Sequence, residues 1–304
     1  MKIFVLAPNE NWICDRLAKE WKSHMPNVCV ENIRDCDIVW LLAGWCWNQV
    51  HPNILREKRV VVTEHHIVPK KFNQQKLENF KIRDQFVNAY HVPNKKTAAF
   101  ISPLTSKPIY IIPYWYNPNI WFSEDKETCQ EFLGLPDGKF VVGSFQRDTE
   151  GGTRLPKLEK GPDSLVEYLQ KLDRDDLHVL LGGWRREYIC DKLDEFNIPY
   201  TRIELAPIDI VRKMYNACDL YVVSSRYEGG PQAIYEAAVM NVPIISRDVG
   251  VATEILCKNC IVDIPDEVYY PKQSDVELNF KNVQCYNIER HKNSYYEMFE
   301  KIIE

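Results

Sequence analysis

Short runs of β-branched and aliphatic residues alternate with helix-length polar segments along the whole 304-residue chain, and that alternation admits few folds. Apolar runs of about four to eight residues bounded by turn signals read as buried strands, and the stretches between them can hold crossover helices. The pattern predicts an α/β protein with parallel sheets. In the first part the strand candidates are residues 2–7, 37–43, 59–63, 86–92 and 108–112. In the second they are 139–144, 177–181, 199–203, 219–224, 242–246 and 259–264. The length is about twice that of a usual single domain, so two domains are expected.

The segment IPYWYNPNIWF, residues 112–122, gathers prolines, asparagines and aromatics between the fifth and sixth strand candidates. Turn chemistry of this density makes the best boundary in the chain. The expected division is residues 1–115 for a first domain and 116–286 for a second. No repeat at solenoid spacing and no low-complexity linker interrupts either. The last stretch, NIERHKNSYYEMFEKIIE at 287–304, spaces Tyr295, Tyr296, Phe299, Ile302 and Ile303 at near-helical intervals, which predicts a helix docked on an apolar surface.

Composition removes several function classes. An apolar share of 45% and a charged share of 27% are those of an ordinary globular protein, and the longest apolar runs, such as 38–43, are far too short to span a bilayer. The opening MKIFVLAPNENW ends its apolar run at Pro8 and reads as a first buried strand, not as a signal-peptide core. A net charge of −5 without a dense basic run disfavours a nucleic-acid partner or an acidic membrane. Ten cysteines without framework spacing fit reduced, mostly buried thiols and a cytoplasmic location. Cys257 and Cys260 are the one close pair with metal or redox spacing, and no second pair follows to complete a zinc site. Asp35-Cys36-Asp37 precedes a strand candidate and reads as a solvated loop, so neither a metal nor another cofactor is expected.

The most informative stretch is SRYEGGPQAIYEAAVMNVPIISRDVG, residues 225–250. It lies in a βαβ unit: strand candidate 219–224, a helix with Pro231 at its first turn, then strand candidate 242–246. The loop from Ser225 to Gly230 therefore sits at the carboxyl edge of a parallel sheet, where such sheets bind ligands. Gly229 and Gly230 allow close backbone approach, and the helix start offers amides and a positive dipole end suited to a phosphate. Glutamates beside a phosphate would repel it, unless they face sugar hydroxyls, for which a carboxylate is a strong double acceptor. Glu236 lies in the otherwise apolar IYEAAVM and is expected to point into a cleft. A nucleotide sugar meets these conditions, with a diphosphate between two rings, one addressed by Glu228 and the other by Glu236.

These residues resemble the nucleotide-sugar signature of glycosyltransferase family 4, retaining enzymes of the GT-B fold. The similar stretches, in order, are LGLPDGKFVVGSFQR (133–147), Lys160-Gly161-Pro162-Asp163, HVLLGG (178–183), MYNACDLYVVSS (214–225), the Glu228 to Glu236 segment, and Gly250 with Thr253-Glu254-Ile255. The resemblance implies two Rossmann-like domains facing an interdomain cleft, with the helix at 287–304 returning to the acceptor domain and 116–286 binding the donor. It implies that Arg147 and Lys160 hold the donor diphosphate, Glu228 the transferred sugar and Glu236 the ribose. Gly183, with Gly182, is placed by the donor, and Arg202 and Ile203 near the nucleobase. Fixed cations and helix amides stabilise the charge that builds on a departing phosphate without reorganising. The family usually sets its arginine and lysine close together, whereas DTEGGTRLPKLE intervenes here, so Arg154 and Lys157 compete for the diphosphate role.

VVVTEHHIVP (60–69) puts His65 and His66 just past a strand candidate, where relatives often carry a histidine near the transferred sugar. Either would hydrogen-bond the sugar or orient the acceptor hydroxyl. Trp45 and Trp47 offer flat faces for an acceptor sugar, core packing being the competing reading. The glycine-rich turn of many relatives is missing from APNENW (7–12). The expected reaction is metal-independent, retaining transfer of a hexosyl group from a UDP- or GDP-sugar to a hydroxyl of a glycan or other acceptor. A nucleotide-sugar epimerase or hydrolase of similar fold, and a non-catalytic nucleotide-sugar-binding protein, are the alternatives.

Overall fold

A computed structural model describes residues 1–10 and 12–304, and the chain divides into two compact units: Met1–Trp115 with Ile288–Glu304, and Tyr116–Asn287. The first unit is built on a five-stranded parallel sheet of β1 (Ile3–Leu6), β2 (Ile38–Leu41), β3 (Arg59–Thr63), β4 (Ala89–Val92) and β5 (Ile109–Ile111), in that spatial order. Its strands read as continuous apolar runs because both faces are covered. On one face Val39 and Leu41 of β2 meet Leu55, Phe80 and Ile101 from the helices Pro52–Glu57, Gln74–Asp84 and Lys95–Ile101. Trp40, between them, turns to the opposite face and packs edge-on against Trp21 and Phe299 at centroid separations of 5.4 and 5.2 Å. Trp21 lies on the helix Ile13–His24 and Phe299 on the final helix Ile288–Ile303, so the end of the chain closes the face opened by its beginning. Tyr295 joins this aromatic cluster and donates its hydroxyl to Pro113 O at 3.0 Å.

The second unit carries five more parallel strands, β6 (Phe140–Ser144), β7 (Leu177–Gly182), β8 (Tyr200–Ile203), β9 (Leu220–Val223) and β10 (Ile244–Ser246). Their spatial order is β10-β9-β6-β7-β8. One face is covered by the helices Pro162–Lys171 and Glu187–Glu195, whose Leu165, Leu169, Ile189 and Leu193 meet Val142, Val179, Leu181 and Val222. On the other, Phe145 and Tyr221 pack on Tyr215 of the helix Ile208–Asn216. Gly143 is required on this side, since a Cβ there would lie 2.4 Å from Cys218 Sγ.

The ten strands among the described residues stand where the apolar runs predict them, trimmed at their ends. The exception is 259–264, which contains no strand. Lys258–Cys260 turns in a short 3-10 helix, leaving Ile261 and Val262 beside β10 through one parallel bridge to Ser246 and one hydrogen bond of 2.9 Å. Pro231 also differs from expectation: it is the N-cap, and the helix proper is Gln232–Val239. No described helix is long and apolar enough to cross a membrane.

Candidate functional site

From β6 the chain adds β7 and β8 on one side, then crosses back to place β9 and β10 on the other. Such a reversal opens a crevice at the carboxyl ends of the two central strands, here β6 and β9. The first sheet keeps chain order across its width, so the reversal belongs to the second alone. The segments leaving β6 and β9 are joined side chain to backbone: Gln146 Nε2 donates to Lys160 O at 2.7 Å and to Ser224 Oγ at 3.1 Å. Ser225 Oγ lies 2.8 Å from both Gln146 Oε1 and Glu228 Oε1. Lys160 Nζ closes the cluster on Glu228 Oε1 at 2.5 Å, with both side chains largely buried. A lysine and a carboxylate predicted from separate motifs thus occupy one point of the sheet edge.

Glycines let the backbones meet there. Gly161 has a φ of 63°, and a Cβ on it would lie 2.1 Å from Ser224 O, so neither the dihedral nor the space admits a side chain. A Cβ on Gly250 would lie 2.4 Å from Gly229 O, which locks the loop after β10 against the start of the helix Gln232–Val239. That helix and Pro162–Lys171 both start at this edge, where their dipoles favour an anion. Glu236, in the second turn of the helix Gln232–Val239, is only 4% exposed, as its apolar neighbours require. The Tyr215 hydroxyl pairs with it, and burial together with the Glu236 charge raises the Tyr215 pKa far above its ordinary value.

The stretch between Arg147 and Lys160 folds back on itself. Thr149 and Pro156 form an antiparallel bridge, and Lys157 N donates to Asp148 O at 2.7 Å. Lys157 consequently returns beside Arg147, and burial, aided by the Arg147 charge, lowers its pKa. Arg154 goes elsewhere: it is exposed and paired with Asp191 of the helix Glu187–Glu195. An ion pair that the sequence did not announce anchors the whole stretch. Arg186, with no exposed surface, holds Asp148 Oδ2 at 2.7 Å and donates to Ser144 O at 2.7 Å and Gly182 O at 2.9 Å. Burial lowers the Arg186 pKa and raises that of Asp148, so desolvation outweighs their attraction at both ends.

The remaining donor candidates line the same edge. Gly183 adopts a φ of 88° beside Phe145 O, and a Cβ on Gly182 would meet Met214 and Phe145. Arg202 and Ile203 end the edge strand β8. Arg202 is engaged by Glu187 at 3.0 Å and by Glu204; burial opposes its charge, but these hydrogen bonds prevail and raise its pKa.

In the first unit, both His65 nitrogens have protein partners. Nε2 donates to Leu42 O at 2.8 Å, which leaves Nδ1 to accept from Tyr114 OH. The residue keeps some exposed surface, but its nitrogens face protein, and burial pushes the pKa down to about 4. His66 is half-buried beside it. Glu64 pairs with Arg83 where a Cβ on Gly44 would collide with both. Trp45 is 55% exposed with its ring centroid 6.0 Å from that of His65. Trp47 instead stacks on Phe86 against the core, so the structure separates the two tryptophans. Asp37 accepts from Lys2 N at 2.7 Å at the start of β2, the opposite sheet edge from these groups.

Residues 154–265, which hold Lys160, Glu228 and Glu236, match the model of the family described as glycosyl transferases group 1. A glycogen synthase of Fervidobacterium nodosum is 28% identical over 187 residues, 60% of this chain and 36% of that protein, so the chain spans about a third of that relative's length. HepE of Anabaena, solved in complex with UDP and glucose, superposes with a TM-score of 0.81 at 14% identity, covering 99% of this chain and 100% of HepE. Sucrose-phosphate synthase of Thermosynechococcus elongatus gives a TM-score of 0.71 at 16% identity over 98% of this chain and 80% of that one. The chain is thus similar to group 1 glycosyl transferases across the segment that builds the crevice, and its two parallel α/β units have the GT-B fold of HepE.

Proposed function

We propose that the protein is a retaining glycosyltransferase of family 4 type, moving a hexosyl group from a nucleoside diphosphate sugar to an acceptor hydroxyl. The observation that carries this reading is the meeting of Lys160, Glu228 and two glycine-lined helix starts at the strand reversal of the second sheet. Lys160 and Arg147, with Lys157 beside them, neutralise the diphosphate, and the amides opening the helix Gln232–Val239 add a preorganised anion site. Glu228 accepts hydroxyls of the transferred sugar, and Glu236, oriented by Tyr215, those of the ribose. Gly183, Gly230, Arg202 and Ile203 border the nucleotide. UDP is favoured over GDP by the HepE complexes, which hold UDP and UDP-glucose.

The chemistry asked of these groups is electrostatic. As the bond from sugar to phosphate lengthens, negative charge grows on the phosphate, and each fixed donor there is worth roughly 3–4 kcal/mol of transition state. The departing phosphate takes the proton of the incoming hydroxyl on the same face, which gives retention without a protein nucleophile. No divalent metal takes part in this step. His65 acts through Leu42 and Tyr114, holding the β2–β3 edge, while His66 and the exposed Trp45 ring are assigned to the sugars. Thermal shift with UDP, GDP and their glucose, galactose and mannose derivatives tests the donor, and stabilisation by at least one of them, lost in Lys160→Ala, is expected. Absence of any nucleotide effect on the wild-type protein would end the reading. Turnover unchanged on omitting magnesium and manganese, with the product's anomeric signal matching the donor's, is expected in an assay that also separates transfer from hydrolysis or epimerisation.

A further inference from the structure

We propose that Cys257, Cys260 and Asp275 form a structural site for one thiophilic divalent cation, zinc by its chemistry, in the second unit. Cys257 caps, and Cys260 ends, the short turn Lys258–Cys260 that replaces the expected strand, and Asp275 stands in the first turn of the helix Gln273–Val283. The two Sγ atoms are 3.4 Å apart, and Asp275 Oδ1 lies 3.3 Å from Cys257 Sγ. All three residues are buried, and their ligand atoms fall within 4.8 Å of one another. Tetrahedral zinc with thiolates at about 2.3 Å sets S–S edges of ~3.8 Å, so an opening of a few tenths of an ångström admits the ion.

Asp275 has an ordinary duty as well: its Oδ2 accepts from Lys272 N at 2.8 Å and from the Tyr269 hydroxyl at 2.5 Å, capping the helix. That duty occupies one oxygen; the other faces Cys257 Sγ and also accepts from Asn259 Nδ2 at 3.2 Å, an arrangement like that of metal-bound carboxylates held by outer partners. Asn279 gives a second such support. Its Oδ1 accepts from Cys257 N at 2.7 Å while its amide lies 3.6 Å from Cys260 Sγ, placing an N–H donor where a thiolate would be stabilised. Two cysteines three apart supply half of a zinc site, and the fold brings the third ligand from 15 residues further on, which spacing of cysteines alone does not reveal. A groove of ≈ 720 Å³ is bordered by Lys258, Asn259 and Tyr269, neighbours of the three ligands. Binding displaces the two thiol protons and ties the turn to the helix, so it adds to the stability of this unit.

Cobalt titration of the reduced full chain, stripped beforehand with a chelator, tests the site independently of any transferase activity. One equivalent of Co²⁺ is expected to give thiolate-to-cobalt charge transfer and tetrahedral d–d bands, both lost on adding Zn²⁺. Cys260→Ala should abolish the charge-transfer signal, and Asp275→Asn should weaken affinity by at least about tenfold. Circular dichroism confirms that the variants fold, and metal analysis of the wild-type protein needs no variant. A reduced wild-type chain that takes up no cobalt, whether or not its sulfurs join in air, overturns the proposal, as does uptake unchanged by Cys260→Ala.

Discussion

Lys160 and Glu228 each satisfy the other, so a donor bound as proposed must exchange their mutual hydrogen bond for its own phosphate and sugar oxygens. A charged hydrogen bond is worth about 1.5–3 kcal/mol, so Lys160→Ala should weaken nucleotide affinity roughly 10- to 150-fold, measurable by calorimetric titration. Glu228→Gln keeps the shape and one acceptor but removes the charge that balances Lys160; kcat should fall by more than KM rises. Both residues were legible in the sequence because each sits in a local pattern of glycines and a helix start. Gln146 and Ser225 were not, although they hold the pair in place. They touch across 79 positions of chain, and nothing about a lone Gln or Ser marks such a partner. Arg154 shows the converse: its position in the basic stretch suggested a phosphate, yet the fold gives it to Asp191 on a neighbouring helix.

At the level of elements, the strands and their carboxyl edges were legible because buried parallel strands must be apolar throughout. The strand order was not, since pairing is decided by crossovers that leave no local trace. The 148–159 stretch was opaque for a related reason. It reads as a basic loop, but Asp148 sinks onto Arg186 and the chain doubles back to restore the nearness of Arg147 to its lysines. Asp148→Ala would strand a guanidinium with no exposed surface, and a loss of about 3–5 kcal/mol in urea unfolding of the second unit is expected, with weaker donor binding. Strands β3 and β4 predict a pH effect. His91 receives Thr63 Oγ1 on Nδ1 and donates from Nε2 to Ile112 O, and burial pushes its pKa down to about 3 from the ordinary 6.5. Above pH 6.5 neither folded nor unfolded chain is protonated there, and stability is flat. Below it the unfolded chain gains a proton that the folded one refuses, so about 2 kcal/mol should be lost by about pH 5. His91→Gln, compared by denaturant melts across that range, should remove this share of the dependence and leave the share of His65, whose pKa burial also depresses.

For the whole molecule, two parallel-sheet units follow from the alternation of strand and helix, and the apolar stripe of the last 18 residues foretold a docked helix without saying where. Its destination is the aromatic cluster of Trp21, Trp40, Trp115, Tyr295 and Phe299, drawn from both ends of the first unit. Tyr295→Ala should cost about 3–5 kcal/mol, and hydrogen exchange should show β1 to β5 losing protection while β6 to β10 keep theirs. The same connectivity bears on synthesis. The ribosome delivers every strand of the first sheet early, yet the helix that covers Trp40 is made after the whole second unit. The customary order of maturation, amino end first, is thereby inverted: the second unit can finish on the nascent chain, while the first must shelter an uncovered aromatic surface until the helix Ile288–Ile303 has emerged behind it.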